Sequence, residues 1–403
     1  MSTSMPAALV WLLATACGLS VANVYYAHPL LDAIAHDLGI SQAAVGGVIT
    51  LTQIGSALAL LFLVPLGDIL ERRCLMAAQL VLLVGSLTLV ALASQPALVM
   101  LGMLGLGLLG TAMTQGLLAF AATLASDSER GRVVGAAQGG VVVGLLLARS
   151  LSGLLADIGG WRAIYLLSAG LMAMLLPVLW LRLPSLRPTV QLSYLALLRS
   201  MLTLLREDRV LHVRGMLGLL LFAAFNLFWT ALVLPLSQPP LSLNHTSIGA
   251  FGLVGAAGAL AAARAGLWAD RGYAQSASGL ALVLLTLAWL PLAFTEQSLW
   301  MLVLGVLLLD AAGQALHVIN QSLILNSGNP AHSRLISLYM LFYAVGSGLG
   351  AFAATRLYDA AGWPGVCLAG AFVSLLALAC WWLTLPDRGN VRHHILGRKS
   401  SIR

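Results

Sequence analysis

The sequence predicts an all-α membrane protein with twelve transmembrane helices in two similar six-helix bundles. Three observations carry this. Of its 403 residues, 60% are apolar and 9% charged, whereas a soluble domain carries about a quarter charged residues. The apolar residues gather in runs of the length a bilayer requires. One offset of 202 positions then relates landmarks of the first half to landmarks of the second.

A hydrocarbon core of ~30 Å is crossed by ~20 mostly apolar residues in a helix. Spans one to twelve are expected at 7–27, 43–66, 74–94, 97–124, 133–156, 161–183, 214–235, 247–269, 275–294, 298–325, 334–358 and 363–385. No basic residue precedes the first run, so it reads as a retained helix and not a signal peptide. The 41 glycines and 14 prolines lie largely inside apolar runs. Small residues there let membrane helices approach closely, and neighbouring helices tolerate the breaks.

The net charge of +7 comes from 21 Lys and Arg against 14 Asp and Glu. All but four of these basic residues (Arg149, Arg162, Arg264 and Arg356) fall in or at the edge of alternate gaps, the central loop 184–213 (counting Arg182 and Arg214 at its two ends) or the tail 387–403. The positive-inside rule turns that bias into an orientation: both termini face the cytoplasm, the membrane expected is the inner one, and the number of spans is even. Nucleic acid is not an expected partner. Cys17, Cys74, Cys367 and Cys380 have neither metal spacing nor a disulfide pattern. No phosphate-cradling loop or metal cluster appears, so no cofactor, pump ATPase or enzyme is expected. The partners implied are a small-molecule solute and the lipid bilayer, for a chain expected to be a monomer.

The offset repeat sets the domain organisation. Asp68 and Asp270 follow spans two and eight, Arg132 and Arg334 open spans five and eleven, and Gly144 pairs with Gly346. Asp157 pairs with Asp359, and Gly160-Trp161 with Gly362-Trp363. The halves are therefore 1–183 and 214–386, joined by a loop whose residues 194–206 read as an amphipathic surface helix. Parallel six-helix repeats suit a secondary transporter, because the halves can rock about a site near the midplane.

Ionisable residues at membrane depth cost about 2.5–3.5 kcal/mol on insertion scales, so each is a candidate site. Asp310, Gln314, His317 and Gln321 follow one another at spacings of 4, 3 and 4 in span ten and form one narrow polar stripe. Asp310 is the candidate proton carrier and His317 a candidate relay. Arg149 in span five needs a carboxylate, backbone carbonyls or an anionic solute group, with Asp32 one candidate partner. Softer solute-cavity candidates are Asn23 and Tyr26 in span one and Thr111 and Gln115 in span four. Span seven adds Phe222, Asn226, Trp229 and Thr230. Together these aromatic and amide groups suit an apolar or amphipathic solute.

Several motifs resemble the major facilitator superfamily. Pro65-Leu-Gly67-Asp68-Ile-Leu-Glu-Arg72-Arg73 is similar to its signature loop between helices two and three, and Gly266-Leu-Trp-Ala-Asp270-Arg271-Gly272 to the second copy. Ile69 and Glu71 depart from the pattern, which commonly has arginine and glycine there. A carboxylate at such a helix end can pair with arginines or a helix N-terminus of the other half. Asp68, Arg72, Arg73, Arg132, Asp270, Arg271 and Arg334 are therefore the candidate conformational latch. In span five, Gly140, Gly144, Ala148-Arg149 and Ser152-Gly153 resemble the motif of the drug:proton antiporter-1 branch, with Ala-Arg where Gly-Pro is usual. Span four has Leu101-Gly102 in the region where that branch often carries an arginine.

Residues 22–31, 144–153 and 310–314 narrow the resemblance to bacterial exporters of the YgaY type. The resemblance implies the major facilitator fold, span ten as a cavity wall, and proton-driven efflux of small organic molecules. The alternatives from the residues alone are a proton-symport importer and a non-transporting membrane receptor.

Overall fold

The computed structural model describes residues 5–126, 128–186, 193–268, 273–327 and 331–385. Among them, nine helical segments are long and apolar enough to cross a bilayer. One of the nine, Ser333–Leu383, folds back at Gly362 into two crossings, spans eleven and twelve. Ala7–Ala22 and His245–Trp268 supply the first and eighth spans, which makes twelve. Large apolar side chains such as Leu92, Met174, Leu181, Trp300, Leu368 and Leu383 stand exposed on the outer surfaces of the helices. So many exposed apolar side chains suit contact with acyl chains, not water.

Local chemistry sets the ends of these helices. The Glu71 carboxylate accepts from the backbone N–H groups of Arg73 (3.1 Å) and Cys74 (2.7 Å) and so caps span three. Asp208 does the same for span seven through Leu211 N (2.9 Å), and Asn244 for span eight through Ser247 N (3.0 Å). Each cap satisfies a backbone donor that the first helical turn leaves orphaned. Ser193 opens the amphipathic linker helix Tyr194–Glu207 in the same way.

The repeat landmarks do equivalent work in both halves. Gly160 and Gly362 both have positive φ, 78° and 62°, a conformation that costs glycine little. Each turns the chain sharply from one span into the next. The tryptophan after each is buried. Trp161 donates to Asp37 Oδ2 at 3.3 Å and Trp363 to the Leu292 carbonyl at 2.8 Å.

Packing follows the same symmetry. Span one packs on five as seven packs on eleven. Span two packs on four as eight on ten, and three on six as nine on twelve. The halves meet where span five lies along span eight and span two along span eleven. Glycines make the tightest approaches. A Cβ at Gly144 would lie 2.1 Å from the Gly18 carbonyl oxygen, and one at its repeat mate Gly346 would lie 2.1 Å from that of Leu219.

Two structural details differ from the sequence reading. Span one ends at Ala22, and the chain then turns through residues 23–30 into a short helix, Leu31–Leu38. The cause is local: Asn23 folds its amide back onto the Leu19 and Ser20 carbonyls. Arg214, assigned to the loop by the charge pattern, is buried inside span seven, where it donates to Ser278 Oγ (3.2 Å) and Asn320 Oδ1 (3.4 Å).

Candidate functional site

The two ends of the molecule, here the Asp68 face and the Asp157 face, are closed to different degrees. At the Asp157 face the halves are zipped together. A Cβ at Gly153 would lie 2.2 Å from the His245 carbonyl oxygen, and one at Gly46 2.6 Å from that of Ala351. Ser150 Oγ donates to the Gly249 carbonyl (3.1 Å), and Thr355 Oγ1 to that of Ala43 (2.9 Å). At the Asp68 face a cavity of about 40 Å³ lies between the halves, lined among others by Asp68, Arg72, Gln115, Met201, Arg334 and Ser337.

Between these faces stand two buried charges from opposite halves. Arg149 lies ten residues from the Gly159 end of span five, and Asp310 eleven residues from the Leu299 end of span ten. At 1.5 Å per residue both are about 15 Å inside, near the middle of a ~30 Å core. They are 3% and 4% exposed. The Arg149 guanidinium lies over the Trp229 ring at 4.0 Å and the Tyr25 ring at 5.7 Å, a cation–π arrangement that offsets part of its burial. Asp310 is the acidic group whose charge acts on it, yet Arg149 Nε and Asp310 Oδ2 both lack a hydrogen-bond partner.

Asp32, the partner considered from sequence, does not meet Arg149. It is engaged by His245 at the Asp157 face, because the chain turns out of helix after Ala22 and carries Asp32 outward.

Span eight explains how the two charges come to flank one helix. A Cβ at Gly252 would lie 3.2 Å from Arg149 Cβ. One at Gly255 would lie 2.9 Å from Asp310 Oδ2, and one at Gly258 3.2 Å from Asp310 Cβ. Any larger residue on this face would push the charged side chains apart.

The polar stripe of span ten points into protein. His317 Nδ1 meets the Tyr339 hydroxyl (2.9 Å), and Gln321 Nε2 approaches His317 Nε2 (3.3 Å). Phe222 stands edge-on to His317 at 5.1 Å. Asp310 thus faces span eight, while His317 faces spans seven and eleven; no bond joins the two. Gln314 between them is half-buried.

The other candidates divide into cross-half contacts and packing within one half. Asn226 Oδ1 meets His28 Nε2 (3.4 Å) across the halves, and its amide donates to Ser347 Oγ (2.9 Å). Trp229 lies against Arg149. Asn23 accepts from Ser168 Oγ (2.7 Å), Tyr26 stacks edge-on with Tyr165, and Thr111 donates to Ser56 Oγ (2.8 Å), all inside the first half. Gln115 lines the cavity at the Asp68 face.

Among the latch candidates, Arg72 reaches Asp68 (3.5 Å), the Gly67 and Ala119 carbonyls and Thr123, all in its own half. Arg73 lies over Trp180 at 4.7 Å. Arg132 pairs with Glu129 at 2.7 Å. Arg334 donates to Ser200 of the linker helix at 2.6 Å. Asp270 and Arg271 lie outside the described residues, as does the Arg264 side chain.

Sequence reasoning did not single out Tyr343, whose hydroxyl bonds that of Tyr25 across the halves. Nor did it assign a role to His28 or His245, or bring Asp32 and Asp157 together on His245. Tyr25 and His28 stood in the stretch 22–31, and Asp157 in the repeat, but the partners lie roughly 90 to 320 positions away in the chain.

Comparison with known proteins agrees with this architecture. The chain is 40% identical over 375 residues to the transporter YgaY of Escherichia coli, covering 93% of this chain and 95% of that one. It is 33% identical to the purine ribonucleoside efflux pump NepI of Salmonella typhimurium over 164 residues, 39% of this chain and 40% of NepI. Among solved structures, a bacterial homologue of the lysosomal transporter Spinster, inward-facing and unoccupied, superposes with a TM-score of 0.76 at 15% identity, covering 94% and 97% of the two chains. The nucleoside transporter NupG superposes with a TM-score of 0.73 at 15% identity, covering 94% and 99%. The family model of the Major Facilitator Superfamily matches residues 10–327 and again 216–400, so the chain belongs to that superfamily.

Proposed function

We propose that the protein is a proton-coupled secondary transporter that exports small organic or amphipathic molecules by alternating access. The observation that carries this reading is the pair of buried, directly unpaired charges, Arg149 from one six-helix half and Asp310 from the other, at mid-depth between a zipped face and a face with a cavity. A charge held so deep is costly and is kept for function.

In this reading Asp310 takes up and releases the proton. His317 adjusts the same wall of the cavity through Tyr339 and Gln321. Arg149, Trp229, Asn226 and Phe222 contact the solute, with Gln314, Gln321, Tyr26, Asn23, Thr111 and Gln115 along its route. The basic bias makes the Asp68 face cytoplasmic, with both termini there, and in this reading the chain works as a monomer in the inner membrane. Asp68, Arg72, Arg73, Arg132 and Arg334, with Asp270 and Arg271, form the latch at that face when it closes. The efflux sense is supported by the partial likeness to NepI.

Transport in proteoliposomes tests the reading. A proton gradient is imposed in each direction, and solutes are taken from a sensitivity screen of a deletion strain. Gradient-driven movement against the proton flow, lost in Asp310→Asn, is the expected result. Movement with the proton flow assigns import, and full coupled activity in Asp310→Asn refutes the role of Asp310.

A further inference from the structure

We infer that the pocket between Arg149 and Trp229 seats the carboxylate of a small organic anion with an apolar or aromatic body. This rests on the transport reading and narrows its substrate class.

The pocket is rich in donors and poor in acceptors. It is lined by His28, Pro29, Arg149, Trp229, Leu232, Val233 and Ile248, and its volume of about 10 Å³ leaves room for at most about one water. Arg149 Nε and Trp229 Nε1 are both buried N–H donors without an acceptor. The lining side chains include no carboxylate or amide, and the Asn226 Oδ1 that meets the lining residue His28 is engaged by it. A ligand carboxylate supplies what is missing: a planar pair of oxygens that matches the guanidinium fork and can also accept from the indole N–H.

The opposite choice, an amine bound by Asp310, fits less well. The Asp310 carboxylate is pressed against span eight at Gly255 and is not part of the pocket lined by Arg149 and Trp229. The rings beyond Arg149 indicate the rest of the ligand. Trp229, Phe225, Phe222 and Tyr343 follow one another at centroid distances of 6.3, 5.9 and 3.9 Å, a run of aromatic faces that continues to His317. These rings all belong to the second half, so a ligand body enters when the halves part and Arg149 and Tyr25 of the first half draw away from Trp229 and Tyr343. Once seated, its carboxylate competes with Asp310 for the charge of Arg149, which links solute binding to the protonation of Asp310.

The test is equilibrium binding to the full chain in nanodiscs, with no gradient. The probes are benzoate, 3-phenylpropionate and indole-3-acetate, each beside its amide and its amine. The carboxylates are expected to bind about tenfold or more tightly than their amides, and the amines more weakly still. Arg149→Gln is expected to abolish the preference, and Trp229→Phe, which keeps a ring but removes the N–H, to reduce it. Equal binding of amide and carboxylate, preference for the amine, or no binding by any of the three acids overturns the inference. The two readings fail separately. Loss of the carboxylate preference with Asp310→Asn still uncoupling transport leaves the exporter standing. A carboxylate preference with full coupling in Asp310→Asn removes only the proton role.

Discussion

Asp157 at the end of span five holds His245, which opens the helix two residues ahead of span eight, by both its backbone N–H (3.2 Å) and its ring Nδ1 (3.1 Å). The same carboxylate accepts from the backbone and hydroxyl of Thr246, at 2.8 and 2.6 Å. The other ring nitrogen, Nε2, meets Asp32 Oδ1 at 3.1 Å. One histidine of the second half is thus clamped between two carboxylates of the first, at the edge of the membrane and before the apolar stretch that begins at 247.

This clamp predicts a pH-dependent closure of the Asp157 face. The hydrogen bond to Asp32, partly opposed by burial and reinforced by Asp157, raises the His245 pKa above its ordinary value. The charged ring is therefore bound better in the closed state than in the open one. Closure gains this contribution fully at pH below about 6.5, the ordinary histidine value, and loses it as pH rises through the raised value. Modification rates of a cysteine introduced behind the face, divided by those of a free thiol at the same pH to remove the change in thiolate fraction, should be low in acid and climb with pH. His245→Gln should flatten that dependence, and an unchanged pH profile in this variant would refute the clamp.

The glycine contacts predict matched stability losses in the two halves. Gly144→Ala and Gly346→Ala each force a methyl to within 2.1 Å of a backbone carbonyl in the adjoining span. Overpacking of this kind costs about 1–3 kcal/mol. Gly139, one residue from the Gly140 contact, has open space around its Cβ position. Thermal unfolding in detergent should show both substitutions destabilising and Gly139→Ala nearly neutral.

Glu71 predicts a capping effect separate from any gating effect. Its carboxylate holds two backbone donors of span three. Glu71→Ala should lower stability by about 0.5–2 kcal/mol, whereas Glu71→Gln, which keeps an acceptor oxygen, should lose less. Equal melting temperatures for wild type and Glu71→Ala would show that water replaces the cap.

Tyr343→Phe removes the hydroxyl that bonds Tyr25 across the halves while keeping the ring packed on Phe222. A net hydrogen bond contributes about 0.5–1.5 kcal/mol, so the expected effect is a shift of the open–closed equilibrium by a few-fold to about tenfold, with little change in expression. Distance distributions between spin labels on the two halves measure it.

Much of the fold was legible because lipid imposes strict rules on sequence. Apolar run length, basic bias and the 202-residue offset are properties of a single strand of text. The offset alone pairs Gly160 with Gly362, and the two share a positive φ. The boundaries of spans one and seven were less legible. Asn23 turns its amide onto its own helix, and Arg214 finds buried acceptors on spans nine and ten. Neither outcome is visible from a hydropathy window.

For the candidate site, sequence pointed to individual residues and left the pairings open. Asp310 and Arg149 stood out because a charge in an apolar run is costly wherever it faces. By itself the sequence determined the crossings, the doubling and the charges that needed company, since each follows from the cost of polar groups in hydrocarbon. Only the tertiary structure decided which company each keeps. Asp32 goes to His245, Arg149 to Trp229 and Tyr25, and Tyr25 to Tyr343. Such contacts join residues far apart in the chain, and the packing of one half against the other selects them.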